Sequence, residues 1–422
     1  MHLTRLVLTA FLLAGLGACQ APWARPSPTA GPAAVAAAPT GSPTLPTATA
    51  TPGPPTATPT ATPAAMPTPW AGELPADTVA LYAAGTWEAP RLYALAADGS
   101  SADLGRIVTP WSVASPSGRW IADIQGLVPA GQVAAYDLRS GTTLTVPFGF
   151  EGVAGSGIAD LGAFDRDETR LAFIEVAPPS GGCCRWAYTV VSLQDGSSRR
   201  YELSRDKAQM GPGSPLGWSA DGELLVDTFH PYSEGAFMGV WALRLPAEGG
   251  LLPPDAPARQ ALTGGAYRST PRLSPDGTRL LYLVRNPPPQ SFDDPLVNEL
   301  WSVDVAGGQP TLLFAPAQGS ALGWACAWSP DGSQALFAQG DYTAHGFTSS
   351  TLRARDAAGQ VRDVGSLPGG YLNDLYWCRP DLALAVMYQG GDMVELYLVD
   401  LAGRRATLAV SASYVSVLRC VR

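Results

Sequence analysis

The sequence predicts an all-β fold, a seven-bladed β-propeller of four-stranded antiparallel blades, on three observations. One turn element recurs along the chain, a short apolar strand follows each copy, and no segment sustains helical periodicity. From Ser219 to Ser274 to Ser329 the step between copies is 55 residues, and the other steps are close to it.

The clearest unit runs from Thr270 to Leu313. Thr270 to Leu273 lead into Ser274-Pro275-Asp276-Gly277, where proline presets φ, aspartate bonds its own backbone and glycine accepts φ > 0. Arg279 to Val284 is an apolar strand, Glu299 to Val305 alternates with period two, and Gly307-Gly308 turns the chain into Pro310 to Phe314. Ser329-Pro330-Asp331-Gly332 and Ser219-Ala220-Asp221-Gly222 repeat the turn. Weaker copies are Ser115-Pro116-Ser117-Gly118, Asp165-Arg166-Asp167-Glu168 and Arg379-Pro380-Asp381. The third-strand element Leu300 to Asp304 reads against Leu396 to Asp400 and Leu92 to Leu95. Residues 78 to 105 supply three strands without a preceding turn, and Tyr414 to Val421 is a lone strand after the last unit. Pairing the two ends makes the seventh blade and removes two exposed strand edges.

The Trp-Ser-Pro-Asp-Gly element (Trp328 to Gly332) and the Leu-Trp-x-Val-Asp element (Leu300 to Asp304) resemble the WD-type repeats of TolB-like propellers. The resemblance covers about four fifths of the chain and implies a fold; its residues are turn and core residues and imply no activity. Such repeats also occur in prolyl-oligopeptidase-like enzymes, whose chemistry lies in a separate α/β-hydrolase domain. That domain needs a G-x-S-x-G elbow, and no such pentapeptide occurs here.

Residues 1 to 19 read as a secretory signal: Arg5 gives a basic start, Leu6 to Leu13 is nearly all apolar, and small residues follow. Leu16-Gly17-Ala18-Cys19 resembles the lipobox of bacterial lipoproteins, which implies lipid on Cys19 and an extracytoplasmic, membrane-anchored protein. An ordinary signal peptide with a chance cysteine is the alternative. Residues 20 to 75 hold Thr-Pro and Ala-Thr runs with only Arg25 and Glu73 charged, and so read as a disordered, proline-rich tether that cannot bury a core. Its Ser, Thr and Pro content permits O-glycosylation. The propeller is expected over residues 76 to 422.

A net charge of −9 argues against a nucleic-acid partner, which wants a basic patch. The membrane is expected to be met through the lipid alone, by a monomer. Apart from His2 in the signal, only His230 and His345 are present, in different blades, and no cofactor, metal site or catalytic residue is expected. Asp293-Asp294 offers calcium-type oxygens without the spaced ligand pattern of a calcium loop. Cys183-Cys184 lacks zinc or CxxC spacing. Cys378 and Cys420 fall on neighbouring inner strands, where a disulfide would lock ring closure; buried free thiols are the equal alternative. The tryptophans before the turns, Trp111, Trp218, Trp324, Trp328 and Trp377, read as blade-to-blade core rather than as a sugar platform.

Two function classes stay open. One is a surface- or periplasm-exposed propeller that binds a protein, peptide or glycan without catalysis. The other is a propeller enzyme with its site at the channel mouth, of metal-dependent lyase or lactonase type. Because successive strands run antiparallel, the short turns share one face, and the long second-to-third-strand loops share the other with the blade connections. Long loops on a rigid scaffold concentrate binding residues. The expected binding surface is therefore the loop face, with His230, Tyr232, Arg285, Phe292, Asp294, Tyr342 and His345 as its anchors.

Overall fold

A computed structural model describes residues 70–421 except 126–130, 150–156, 178–184, 204–212, 230–236, 253–257, 266–270, 286–297, 318–319, 344–345 and 391. Seven antiparallel sheets follow one another around a ring, a seven-bladed β-propeller. Blades 2 to 7 are continuous in sequence, with inner strands Val113–Ala114, Gly157–Phe164, Gly213–Trp218, Arg272–Leu273, Ala321–Trp328 and Tyr371–Arg379. Blade 1 joins both ends: its inner strand is Tyr414–Cys420, followed outward by Thr78–Gly85, Arg91–Ala96 and Ser101–Ile107. The register there runs from Ala80 opposite Cys420 to Gly85 opposite Tyr414. Cys378, near the end of the blade 7 inner strand, and Cys420, ending the closing strand, are joined by a disulfide with a Cα–Cα distance of 5.0 Å. One strand departs from the four-strand pattern: Gly250–Leu252, from blade 4, adds in parallel to the outer strand Ser198–Leu203 of blade 3.

The repeated turn has one hydrogen-bond scheme. The fourth residue donates its N–H to the carbonyl of the first, as in Gly118 to Ser115 (2.9 Å), Gly222 to Ser219 (3.0 Å), Gly277 to Ser274 (2.9 Å) and Gly332 to Ser329 (2.8 Å). The serine Oγ then accepts the N–H of the residue that opens or immediately precedes the next strand: Trp120 (3.0 Å), Glu223 (3.0 Å), Arg279 (2.9 Å) and Gln334 (2.9 Å). These four glycines all lie at φ between 72° and 76°, where a Cβ is strained. Blade 3 puts Glu168 at the same place with φ 54°, and its carboxylate accepts hydrogen bonds from Ser117 N and Oγ on the blade 2 turn, the latter at 2.7 Å. That cross-blade contact offsets backbone strain of about 1–3 kcal/mol.

Blades are stitched by the tryptophan that precedes the turn. Trp218 and Trp328, 7% and 8% exposed, donate their indole N–H to Ala163 O (3.2 Å) and Arg272 O (3.0 Å) of the preceding blade. Arg170 and Arg279 of those preceding blades stack over the same rings at 4.0 and 4.6 Å. The core is accordingly a set of apolar layers between neighbouring sheets, as where Leu352 and Val364 of blade 6 meet Leu375, Trp377 and Val399 of blade 7.

The folded region begins before residue 76. Trp70 N donates to Leu104 O (3.0 Å) and Gly72 N to Leu138 O (2.9 Å), while Trp70 and Leu74 pack on the apolar layer between blades 1 and 2. Composition placed these residues with the proline-rich tether because they are flanked by it; their two large apolar side chains carry them onto the ring. The chain thus joins the ring on the turn face, beside the second blade's Leu138-Arg139 turn and Ser117.

Candidate functional site

Among the described residues, three places bring chemistry-bearing side chains together: the loop face, the channel and the turn face. On the loop face, the expected anchors His230, Tyr232, Phe292, Asp294 and His345 lie outside the described residues, as do Cys183, Cys184 and Cys19. Tyr342 stands in strand Ala335–Thr343, in register with Phe347. Arg285, expected to open a loop, instead ends strand Arg279–Arg285 opposite Asn298 and is 7% exposed. It belongs to the ladder, so it is not presented to a partner as an exposed anchor. The described loop face offers a different group. Trp87, from the second-to-third-strand loop of blade 1, meets Trp111 edge-on at 6.1 Å and Tyr414 edge-on at 5.3 Å. Both tryptophans are half-buried, and Tyr414 donates its hydroxyl to Pro110 O (3.1 Å), which fixes the cluster at the junction of blades 1 and 2. Trp111, four residues before Ser115 where Trp218 and Trp328 immediately precede their turn serines, meets the neighbouring blade at the loop-face end of this junction.

Four groups from three inner strands meet in the channel. Arg272 of blade 5 donates to the Asp374 carboxylate of blade 7, reaching past blade 6 between them. Tyr376 donates to Asp374 Oδ2 (2.5 Å), with the closing strand's Val417 O 3.1 Å from the same hydroxyl. Leu375 N completes the carboxylate's shell at 2.9 Å. Cys326 of blade 6, 2% exposed, lies within the same electrostatic neighbourhood. Burial works against the Arg272 charge, but the attraction of Asp374, with Tyr376 and Cys326 behind it, wins and raises the guanidinium above its ordinary value. Burial, then Asp374, push the Tyr376 hydroxyl well above its usual range. Burial pushes the Cys326 thiol up to about 12 against the pull of Arg272. At neutral pH the thiol is protonated and the phenol neutral.

The turn face carries a cleft of about 630 Å³ lined by Arg119 and Arg139 of blade 2, Pro330 of blade 6, Cys378 and Arg379 of blade 7, and Glu73. Arg119 donates to Asp137 Oδ2 from Nη2 (2.6 Å) and Nε (3.1 Å). Arg139 pairs with Glu73 at 2.8 Å, the side chains 63% and 74% exposed. Arg379 donates to Thr78 O (3.3 Å) and meets no carboxylate among the described residues. Among those residues, no group of three His, Cys, Asp or Glu side chains is placed to hold a metal ion.

No protein-family model and no curated protein matches this chain. Solved structures do. A puromycin hydrolase is 17% identical, with 81% of this chain covering 56% of that one at a TM-score of 0.51. An acylaminoacyl peptidase in complex with Z-Gly-Gly-Phe-chloromethyl ketone is 12% identical, with coverages of 80% and 51% and a TM-score of 0.51. TolB from Acinetobacter baumannii is 15% identical, with coverages of 70% and 65% and a TM-score of 0.40. This chain spans about half the length of the two hydrolases. At such identities the likeness is one of fold, and the chain is a seven-bladed β-propeller protein.

Proposed function

We propose that this chain is a lipid-anchored, extracytoplasmic β-propeller that binds a protein, peptide or glycan partner through its loop face without catalysing a reaction. The observation that carries the reading is the Trp87, Trp111 and Tyr414 cluster. Half-buried aromatic side chains held on a rigid scaffold anchor partners at low entropic cost. The channel groups support the absence of catalysis, since Arg272, Asp374 and Tyr376 satisfy one another and Cys326 keeps its proton. Attachment fits the same picture: the segment entering at Trp70 docks on the turn face, so the loop face is the one opposite the tether.

Two measurements test this. Fatty-acid labelling is expected to mark the wild type and not Cys19→Ala. A photo-crosslinker placed at Trp87 is expected to trap a defined partner that one placed at Gln194, exposed on a blade 3 turn outside the cleft, does not, and Trp87→Ala is expected to weaken that partner's binding. Turnover of an ester, peptide or lactone by the purified protein, abolished by changes on either face, would sink the non-catalytic reading.

A further inference from the structure

The turn-face cleft carries an inference that does not rest on the loop-face reading. Three guanidiniums, Arg119, Arg139 and Arg379, line it, while the protein as a whole has a net charge of −9. They are matched unequally. Asp137, 3% exposed in its side chain, holds Arg119 and is itself fixed by the backbone N–H of Arg139 (3.0 Å). Glu73 holds Arg139, but that pair is largely in water, where such pairs are weak and exchange readily. Arg379 is half-buried and has a carbonyl for a partner rather than a carboxylate. Among the described residues the cleft therefore keeps one positive charge without a carboxylate and a second that is weakly satisfied, within a low-dielectric wall that includes Pro330 and Val421.

What the cleft accepts is indicated by what already lies on its rim. The chain's own Trp70 to Pro75 runs along blades 1 and 2, gives backbone hydrogen bonds at Trp70 and Gly72, and delivers one carboxylate, Glu73, to Arg139. We propose that this cleft is a binding site for an acidic peptide segment, whose carboxylate is taken by Arg379 and Arg139 in exchange for Glu73. Arginine presents a planar fork of donors suited to a carboxylate. In the unliganded protein Glu73 competes from within, at the millimolar effective concentration of a short tether.

The probe is a fluorescein-labelled peptide with this chain's own sequence from Ala71 to Ala76, C-terminally amidated so that its glutamate is the one carboxylate of the sequence. Binding is read by anisotropy with the mature full-length chain. Glu73→Gln is expected to tighten binding about two- to fivefold by removing the internal competitor. Adding Arg379→Ala or Arg139→Ala to Glu73→Gln is expected to weaken it at least tenfold, whereas adding Arg362→Ala, an exposed arginine outside the cleft, leaves it unchanged. Melting curves of each variant show that the ring is intact. A glutamine version of the peptide that binds equally well, or affinity indifferent to Arg379→Ala in a folded variant, overturns the proposal. Competition by glucuronate in the absence of any peptide binding overturns the peptide assignment. None of these outcomes depends on whether Trp87 contacts a partner.

Discussion

The two faces of the ring are built from the same strands and differ in what they repeat. On the turn face, blades 2, 4, 5 and 6 use one scheme of a buried serine and a glycine at φ near 75°, and blade 3 reproduces it with Asp165 and Glu168. On the loop face the described segments share no motif: blade 1 presents Trp87, blade 2 is entered through Trp111, and blade 7 exposes Met393 by 42%. Repetition marks positions whose geometry the ring requires, and individuality marks positions it leaves free. Changes in the repeated turns and at the closure are therefore expected to cost stability, and changes on the loop face to cost partner binding.

The strongest way to break that division is at the closure. Deleting residues 414–422 removes the inner strand of blade 1 and half of the Cys378–Cys420 disulfide, and is expected to abolish cooperative unfolding in thermal melts. A deletion that still melts cooperatively at the wild-type temperature would show that six blades suffice. Next in size, Cys420→Ala is expected to cost about 2–4 kcal/mol in denaturant unfolding, since the bond closes a 42-residue separation.

Gly277→Ala comes third. It places a Cβ 2.8 Å from Ala220 N and 2.9 Å from Trp218 O, at φ +76°, so both the turn and its seat on blade 4 are strained. The expected loss is about 1–3 kcal/mol with loop-face binding unchanged.

A smaller effect sharpens the turn's electrostatics. Hydrogen bonds from Ser329 and Ser333 hold the Asp331 carboxyl below its usual range. A depressed folded-state pKa contributes stability that is fully present above about pH 4 and is lost as pH falls through the folded value. Asp331→Asn is expected to melt below wild type at pH 7, with the gap closing in acid; a gap that widens in acid would refute the assignment. Least of all in stability, Trp87→Ala, whose ring packs partly on the apolar layer between blades 1 and 2, is expected to lower the melting temperature by only a few degrees while weakening partner binding, and unchanged binding would remove Trp87 from the binding surface.

Much of the ring was legible in the chain because its cues are local. Gly332 and Pro330 declare a turn wherever they stand, and strands such as Leu280 to Leu283 declare themselves by apolar runs. The expected binding residues were read with a weaker tool, the length of a loop. Arg285 shows the limit: its strand runs one residue further than the apolar pattern, which turns an exposed anchor into a buried ladder residue.

By itself the sequence determined the all-β class, the blade count and the pairing of Tyr414 to Val421 with Thr78 to Gly85, since period and turn chemistry are properties of short segments. Only the tertiary structure decided which charges meet. Arg272 and Asp374 are 102 residues apart and in non-adjacent blades, and no spacing rule links them. The same holds for Glu73 on Arg139, for Arg379 on Thr78 O, for Trp87 against Trp111 and for the parallel strand Gly250–Leu252. Each depends on how the ring's curvature brings separate blades to one channel or one rim, a geometry set by the summed packing of all seven sheets rather than by any one of them.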